Sequence, residues 1–196
     1  YTDHDFEKKK EEIIKLLKEN KTISLISDSG SPIISDPGSQ LINFLFNENV
    51  KVISVPGPSA LISGIQLSGF LNNKFFVFIG FLPKKREQKI NILKDQLSNN
   101  LIVYTTKQQL KKDVEVIAEI SDKYEVIVLR EMTKIHEERI PINQDNKDRI
   151  NLDSYKGELV LAITANLKDN EDKIIDNNEV FESVNRLGIK KAYQVM

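Results

Sequence analysis

LISDSGSPIISDPGSQ, residues 25–40, carries two near-copies of one five-residue run. Ser27-Asp28-Ser29-Gly30-Ser31 returns eight positions on as Ser35-Asp36-Pro37-Gly38-Ser39, with Pro32-Ile33-Ile34 between them. The stretch follows TISLIS (22–27), a short apolar run that reads as a strand. Within the second copy, Asp36-Pro37 reads as the N-cap and first residue of a helix running to about Glu48. VKVISV (50–55) then reads as a second strand, closed by Pro56-Gly57-Pro58-Ser59-Ala60, after which a helix runs to about Ser68. Strand, helix, strand, helix implies an α/β fold with a parallel sheet and covering helices.

Ahead of this stretch, residues 5–19 read as an amphipathic helix with Phe6, Ile13, Ile14 and Leu17 on one face and Asp5 as its cap. Beyond it, GFLNNKF (69–75) reads as a hinge. The second half predicts strands at 76–81, 101–104, 125–130, 138–143 and 158–164, and helices at 87–98 and 107–121. The expected organisation is an N-terminal α/β domain over 1–72, a C-terminal α/β domain over 73–165, and a polar tail over 166–196 with one helix at about 178–187.

With 29 acidic residues against 28 basic ones, the net charge of −1 offers no global attraction for nucleic acid, so an RNA partner must be met by local basic patches. No cysteine is present, which removes disulfides, thiolate metal sites and cysteine nucleophiles. Two histidines, His4 and His136, do not suggest a multi-histidine metal site, and no metal is expected. No apolar run approaches the ~20 residues of a membrane span, and the polar, acidic first residues are not a signal peptide. A cytoplasmic protein is expected.

In an open α/β sheet, ligands bind beyond the carboxyl ends of the strands. Both small-residue loops, 27–39 and 56–60, fall at such ends. Glycine and serine let a ligand approach the backbone closely. Asp28 offers a carboxylate, and the helix after Ala60 offers free N–H groups. A lone PGPSA reads as a tight turn. The two loops together read as a cradle for a small polar ligand with cationic and anionic parts.

ISLISDSGSPIISDPG, VPGPSAL, GFLPKK, LREMTKIHE and KGELVL, in this order and at these spacings, closely resemble the ribosomal RNA small subunit methyltransferase I family. That family lies within the tetrapyrrole (corrin/porphyrin) methylase superfamily. The resemblance covers roughly residues 1–165, and GFLPKK and RExTKxxE mark the RNA branch. It implies two α/β domains of the tetrapyrrole-methylase type with the methyl donor in the cleft between them. It also implies a homodimer and S-adenosyl-L-methionine-dependent methylation of a cytidine ribose 2'-hydroxyl in small-subunit (16S) ribosomal RNA. By carry-over, Asp28, Ser29, Gly30 and Ser31 wrap the donor from one side and Ser59 and Ala60 from another, while Tyr104, Thr105, Met132 and Ala162 close the adenosine pocket. The family's opening strand and Pro/Gly-rich loop have no counterpart here, so a segment ahead of Tyr1 is expected. Where the family tends to have Glu-Ser-(Pro)-His-Arg after the tyrosine, this chain has Thr105-Thr106-Lys107-Gln108-Gln109.

Methyl transfer from a sulfonium needs the accepting oxygen in line with the S–CH3 bond at about 3 Å. A ribose hydroxyl also needs a base, or a cation for the developing alkoxide. Arg130-Glu131-Met132-Thr133-Lys134-Ile135-His136-Glu137, leaving a strand end, is the densest set of such groups. Arg130 and Lys134 are assigned to RNA phosphates or the oxyanion, and Glu131 or Glu137 to the base. The competing reading is a solvated, salt-bridged turn. His136 is either a base or a surface histidine, and Tyr104 either stacks on adenine or belongs to the core. Lys84-Lys85-Arg86 is either an RNA-facing patch or a solvated helix start. Two other functions stay open: a corrin/porphyrin C-methyltransferase of the same superfamily, and a non-catalytic RNA-binding assembly module.

Overall fold

A computed structural model describes residues 2–70, 75–121 and 123–165. Residues Tyr1–Asn166 form one compact unit. The tail with its expected helix at 178–187, and positions 71–74 of the expected hinge, lie outside the described residues. The helices are α1 (Phe6–Lys18), α2 (Ser39–Asn47), α3 (Ala60–Ser68), α4 (Arg86–Gln96) and α5 (Lys107–Ile120). The strands are β1 (Phe76–Phe81), β2 (Asn100–Thr105), β3 (Tyr124–Arg130), β4 (Glu138–Ile142) and β5 (Leu159–Ala165).

The five strands form one mixed sheet in the order β1-β2-β5-β3-β4. Only β1 and β2 run parallel, while β5 is antiparallel to both β2 and β3, and β4 to β3. Helices cover both faces, which is why β2, β3 and β5 read as unbroken apolar runs. Alternate side chains go to opposite faces. Leu101, Val103, Val126, Val128, Leu161 and Ile163 join the core cluster that includes Leu93, Leu110, Val114 and Ile117 of α4 and α5. Ile102, Ile127, Leu129, Val160 and Ala162 meet Leu61 and Ile65 of α3. The expected boundary at 72/73 therefore falls inside the unit, with α3 packed on strands that follow it in sequence. Arg139 of β4 holds the far end of α3, donating to the carbonyls of Leu67 (3.0 Å) and Ser68 (3.4 Å). A cation there complements the partial negative charge of a helix C-terminus.

The N-terminal half departs from its reading in three places. TISLIS and VKVISV form no ladder, and among the described residues all five strands begin at residue 76 or later. Ile26, Ile53 and Val55 are 83%, 69% and 83% exposed. Strand composition favours extended backbone, but a strand exists only where a neighbour completes its hydrogen bonds. Helix α2 starts at Ser39 rather than at Pro37, because Gly38 holds φ +131° and gives its N–H to Asp3 Oδ1 at 3.0 Å. Asp5 does not cap α1. Its carboxylate accepts the Thr2 hydroxyl at 2.7 Å, which lowers its pKa.

Candidate active site

A cavity of about 400 Å³ opens at one end of the sheet. Its floor is where β1 and β2 end and β5 begins, with Phe81 opposite Tyr104, Tyr104 opposite Val160, and Thr105 opposite Leu159. Tyr104 packs edge-to-face on Phe78 (4.9 Å) and Phe81 (5.6 Å). Burial pushes the pKa of its hydroxyl above the ordinary value of 10.0, and the Leu61 backbone at the start of α3 opposes that rise. The phenol thus stays neutral at physiological pH, giving the cavity an apolar wall with a polar edge.

Two loops form the opposite wall and are pinned to each other. Ser27 Oγ donates to the Gly30 carbonyl (2.8 Å) and Ser31 Oγ to the Pro58 carbonyl (2.9 Å). Ser29 Oγ reaches Glu158 Oε1 at 3.2 Å, joining the first loop to the start of β5. Of the residues expected to cradle a ligand, Ser29, Gly30, Ser31, Ser59, Ala60, Tyr104, Thr105 and Met132 line the cavity. Asp28 and Ala162 do not. Asp28 is exposed beyond the rim. Ala162 stands opposite Ile102 and Ile127 at 1% exposure. It lies two residues along β5 from the lining Val160, about 7 Å deeper into the sheet.

The turn after β3 is where expectation and geometry differ most. Arg130 is engaged, donating from Nε to the Lys156 carbonyl (2.7 Å) and from Nη1 to Glu138 Oε2 (2.8 Å). The Glu131 carboxylate accepts the backbone N–H of Glu158 at 2.7 Å and Lys134 Nζ at 3.2 Å. The same two groups, the Glu158 N–H first, hold its pKa below the ordinary 4.5. Glu137 Oε2 accepts the Thr133 N–H at 2.6 Å. These bonds brace a turn in which Glu131 and Thr133 adopt φ +48° and +67°, left-handed values that L residues rarely take. Arg130, Glu131 and Glu137 do not line the cavity. His136 is exposed and also outside the lining.

Lys134 alone of that charged set lines the cavity. Its Nζ stands 3.1 Å from Glu158 Oε2 and 3.2 Å from Glu131 Oε1. The Glu158 hydrogen bond leads in raising its pKa above the usual 10.5. Glu158 and Asp36 supply the lining carboxylates, and neither stands out as a site residue in the sequence. Asp36 there has the look of a helix cap, and Glu158 within KGELVL opens a strand. The one signal for Glu158 is its place in a family motif at a strand end.

Lys84, Lys85 and Arg86 sit exposed where α4 begins, a few residues beyond the lining Phe81. Arg86 is ion-paired with Glu119. Lys84 and Lys85 have no side-chain partner among the described residues. Among those residues no group of three or more His, Cys, Asp or Glu is placed to hold a metal, and no helix is long and apolar enough to cross a membrane.

Sheet and cavity together define a mixed α/β protein with a cavity at one end of its strands. Comparison with known proteins makes the class specific. Residues 2–144 match the model of the Tetrapyrrole (Corrin/Porphyrin) Methylases. Ribosomal RNA small subunit methyltransferase I of Thermotoga maritima is 39% identical over 139 residues, 70% of this chain and 62% of that protein. Its namesake in Rickettsia prowazekii is 38% identical over 175 residues, 86% of this chain and 61% of that protein. In Hydrogenobaculum the namesake is 37% identical, with 78% of this chain and 67% of that protein covered. The chain thus spans a little over three fifths of the length of the first two relatives.

Among solved structures, the methyltransferase CobJ superposes with a TM-score of 0.61 at 15% identity, covering 80% of this chain and 70% of that one. Uroporphyrin-III C-methyl transferase from Thermus thermophilus, complexed with S-adenyl homocysteine, gives 0.53 at 16% identity, covering 80% and 74%. These two establish the fold. The chain belongs to the tetrapyrrole (corrin/porphyrin) methylase family, on the branch of ribosomal RNA small subunit methyltransferase I.

Proposed function

We propose that the cavity binds S-adenosyl-L-methionine and that the protein transfers its methyl group to the 2'-hydroxyl of a cytidine in small-subunit ribosomal RNA. The observation that carries this is the convergence of both serine-rich loops, Tyr104 and the Lys134–Glu158 pair on one cavity, in a chain of the rRNA-methylating branch. In this reading residues 1–72 and 73–165 act as two lobes with the donor between them, and a homodimer is the acting species. Ser29, Gly30, Ser31, Ser59 and Ala60 wrap the donor, while Tyr104, Thr105 and Met132 enclose its adenosine.

In the transfer, a lone pair of the 2'-oxygen forms the new O–CH3 bond as the S–CH3 pair returns to sulfur. The hydroxyl proton leaves to a base. Lys134, held at the cavity edge, supports the developing alkoxide. Glu158, a lining carboxylate 3.1 Å from Lys134, is the acceptor of the proton. Lys84 and Lys85 contact RNA phosphates. The reading favours RNA over a tetrapyrrole substrate because the three curated relatives described above are all named for ribosomal RNA.

The test is to incubate the full chain with methyl-labelled donor and small-subunit ribosomal RNA, then hydrolyse with alkali. A 2'-O-methyl group blocks cleavage of the adjoining phosphodiester, so the label is expected in an alkali-resistant dinucleotide. Label in mononucleotides would place the methyl on a base and overturn the ribose assignment. Ala60→Trp, which fills the cavity, is expected to abolish both donor binding and transfer.

A further inference from the structure

Under the cavity floor, α4, α5 and the end of β2 meet in a buried polar cluster. The Lys89 ammonium is paired with Asp113 Oδ1, and each side chain is only 2% exposed. Asp113 Oδ2 accepts the Thr105 hydroxyl at 2.5 Å. Gln109 Oε1 accepts a further, long bond from Lys89 at 3.4 Å. Thr105 is 6% exposed and belongs both to this cluster and to the cavity lining.

Stability does not explain this arrangement. A buried ion pair is commonly neutral or worse than apolar residues of similar volume, because desolvation offsets the attraction. The two helices otherwise bury Leu93, Leu110, Val114 and Ile117 against the sheet. What the pair does achieve is directional. An Asp113 carboxylate with an ammonium on one oxygen can only accept on the other. The proton of the Thr105–Asp113 bond is therefore the threonine's. With that proton held inward, Thr105 Oγ1 retains only acceptor capacity.

We propose that Lys89 and Asp113 are positioning residues that fix Thr105 Oγ1 as a one-way acceptor for the cavity ligand, selecting an N–H or O–H donor such as the amino or ribose hydroxyl groups of an adenosine. This rests on the donor reading above and says which kind of ligand group Thr105 recognises.

The test titrates S-adenosylhomocysteine calorimetrically into the full chain and three variants, with a melting temperature for each. Thr105→Ser keeps the hydroxyl and binds more tightly than Thr105→Val. Thr105→Val, its near-isostere, loses about tenfold, the usual worth of one buried hydrogen bond. Lys89→Met/Asp113→Leu leaves Thr105 intact, keeps the melting temperature within a few degrees of wild type, and still loses affinity because the hydroxyl is no longer held. Wild-type affinity in Thr105→Val or in the double variant overturns the inference while leaving the donor reading standing. Absence of binding by the wild-type protein itself overturns both.

Discussion

Replacing Gly157 with alanine should destabilise the protein through a residue 26 positions away. Gly157 holds φ +97° just before β5. A Cβ there would stand 2.6 Å from Glu131 Cδ and 2.9 Å from Cγ, and closer still to Oε1. Real Cβ atoms do not approach so near, so the Glu131 side chain must leave. It would give up the Glu158 N–H at 2.7 Å and the Lys134 ammonium at 3.2 Å. The substitution therefore has two separable costs. Left-handed strain at an alanine is about 1–2 kcal/mol, or about 2–8 °C of melting temperature in a chain of this size. The eviction of Glu131 adds to it. A four-protein cycle separates them, using thermal unfolding by circular dichroism of wild type, G157A, E131A and G157A/E131A. In the E131A background the glycine substitution should show the strain alone. In the wild-type background it should lower the melting temperature further. Equal shifts in both backgrounds, or no shift at all, would refute the assignment of Gly157 as the space that lets Glu131 brace the cavity edge.

Further outcomes follow from single features. Glu131→Gln should flatten the acid limb of the stability profile. Its native carboxyl lies below 4.5, so its contribution is complete above about that pH and lost as pH falls through the native value; melting temperatures from pH 7 to 3 read this out. Tyr124→Phe should be neutral or stabilising by up to about 1 kcal/mol in denaturant unfolding, because its buried hydroxyl has no hydrogen-bond partner among the described residues. Lys84→Ala/Lys85→Ala should weaken binding to a small-subunit rRNA transcript and reduce the log–log salt slope by up to about two, roughly one for each phosphate no longer neutralised. An unchanged slope would remove these lysines from the RNA surface.

Burial preference is written locally, and it made much of the fold legible. The runs at 101–104, 125–130 and 158–164 read as strands because both of their faces are covered. Helix α1 was legible from its 3.6-residue apolar spacing. The serine-rich loops stand out in the sequence because turn-formers cluster at few other places, and both loops line the cavity. Partners are not written locally. Nothing near TISLIS or VKVISV says whether a neighbouring strand will complete its hydrogen bonds. Nor does the order of strands along the chain say that β5 will insert between β2 and β3. That insertion brings Glu158 to Glu131 and Lys134, turning an apparent catalytic cluster into a brace and leaving Lys134 at the cavity. It also sets Val160, rather than Ala162, at the cavity floor. Lys89 and Asp113 lie 24 residues apart, and nothing local marks either for burial; they pair only because α4 and α5 close over them. A residue's tendency to be buried is a property of its own side chain. Which hydrogen bonds and charges it meets there depends on distances between segments far apart in sequence, and those exist only once the chain has folded.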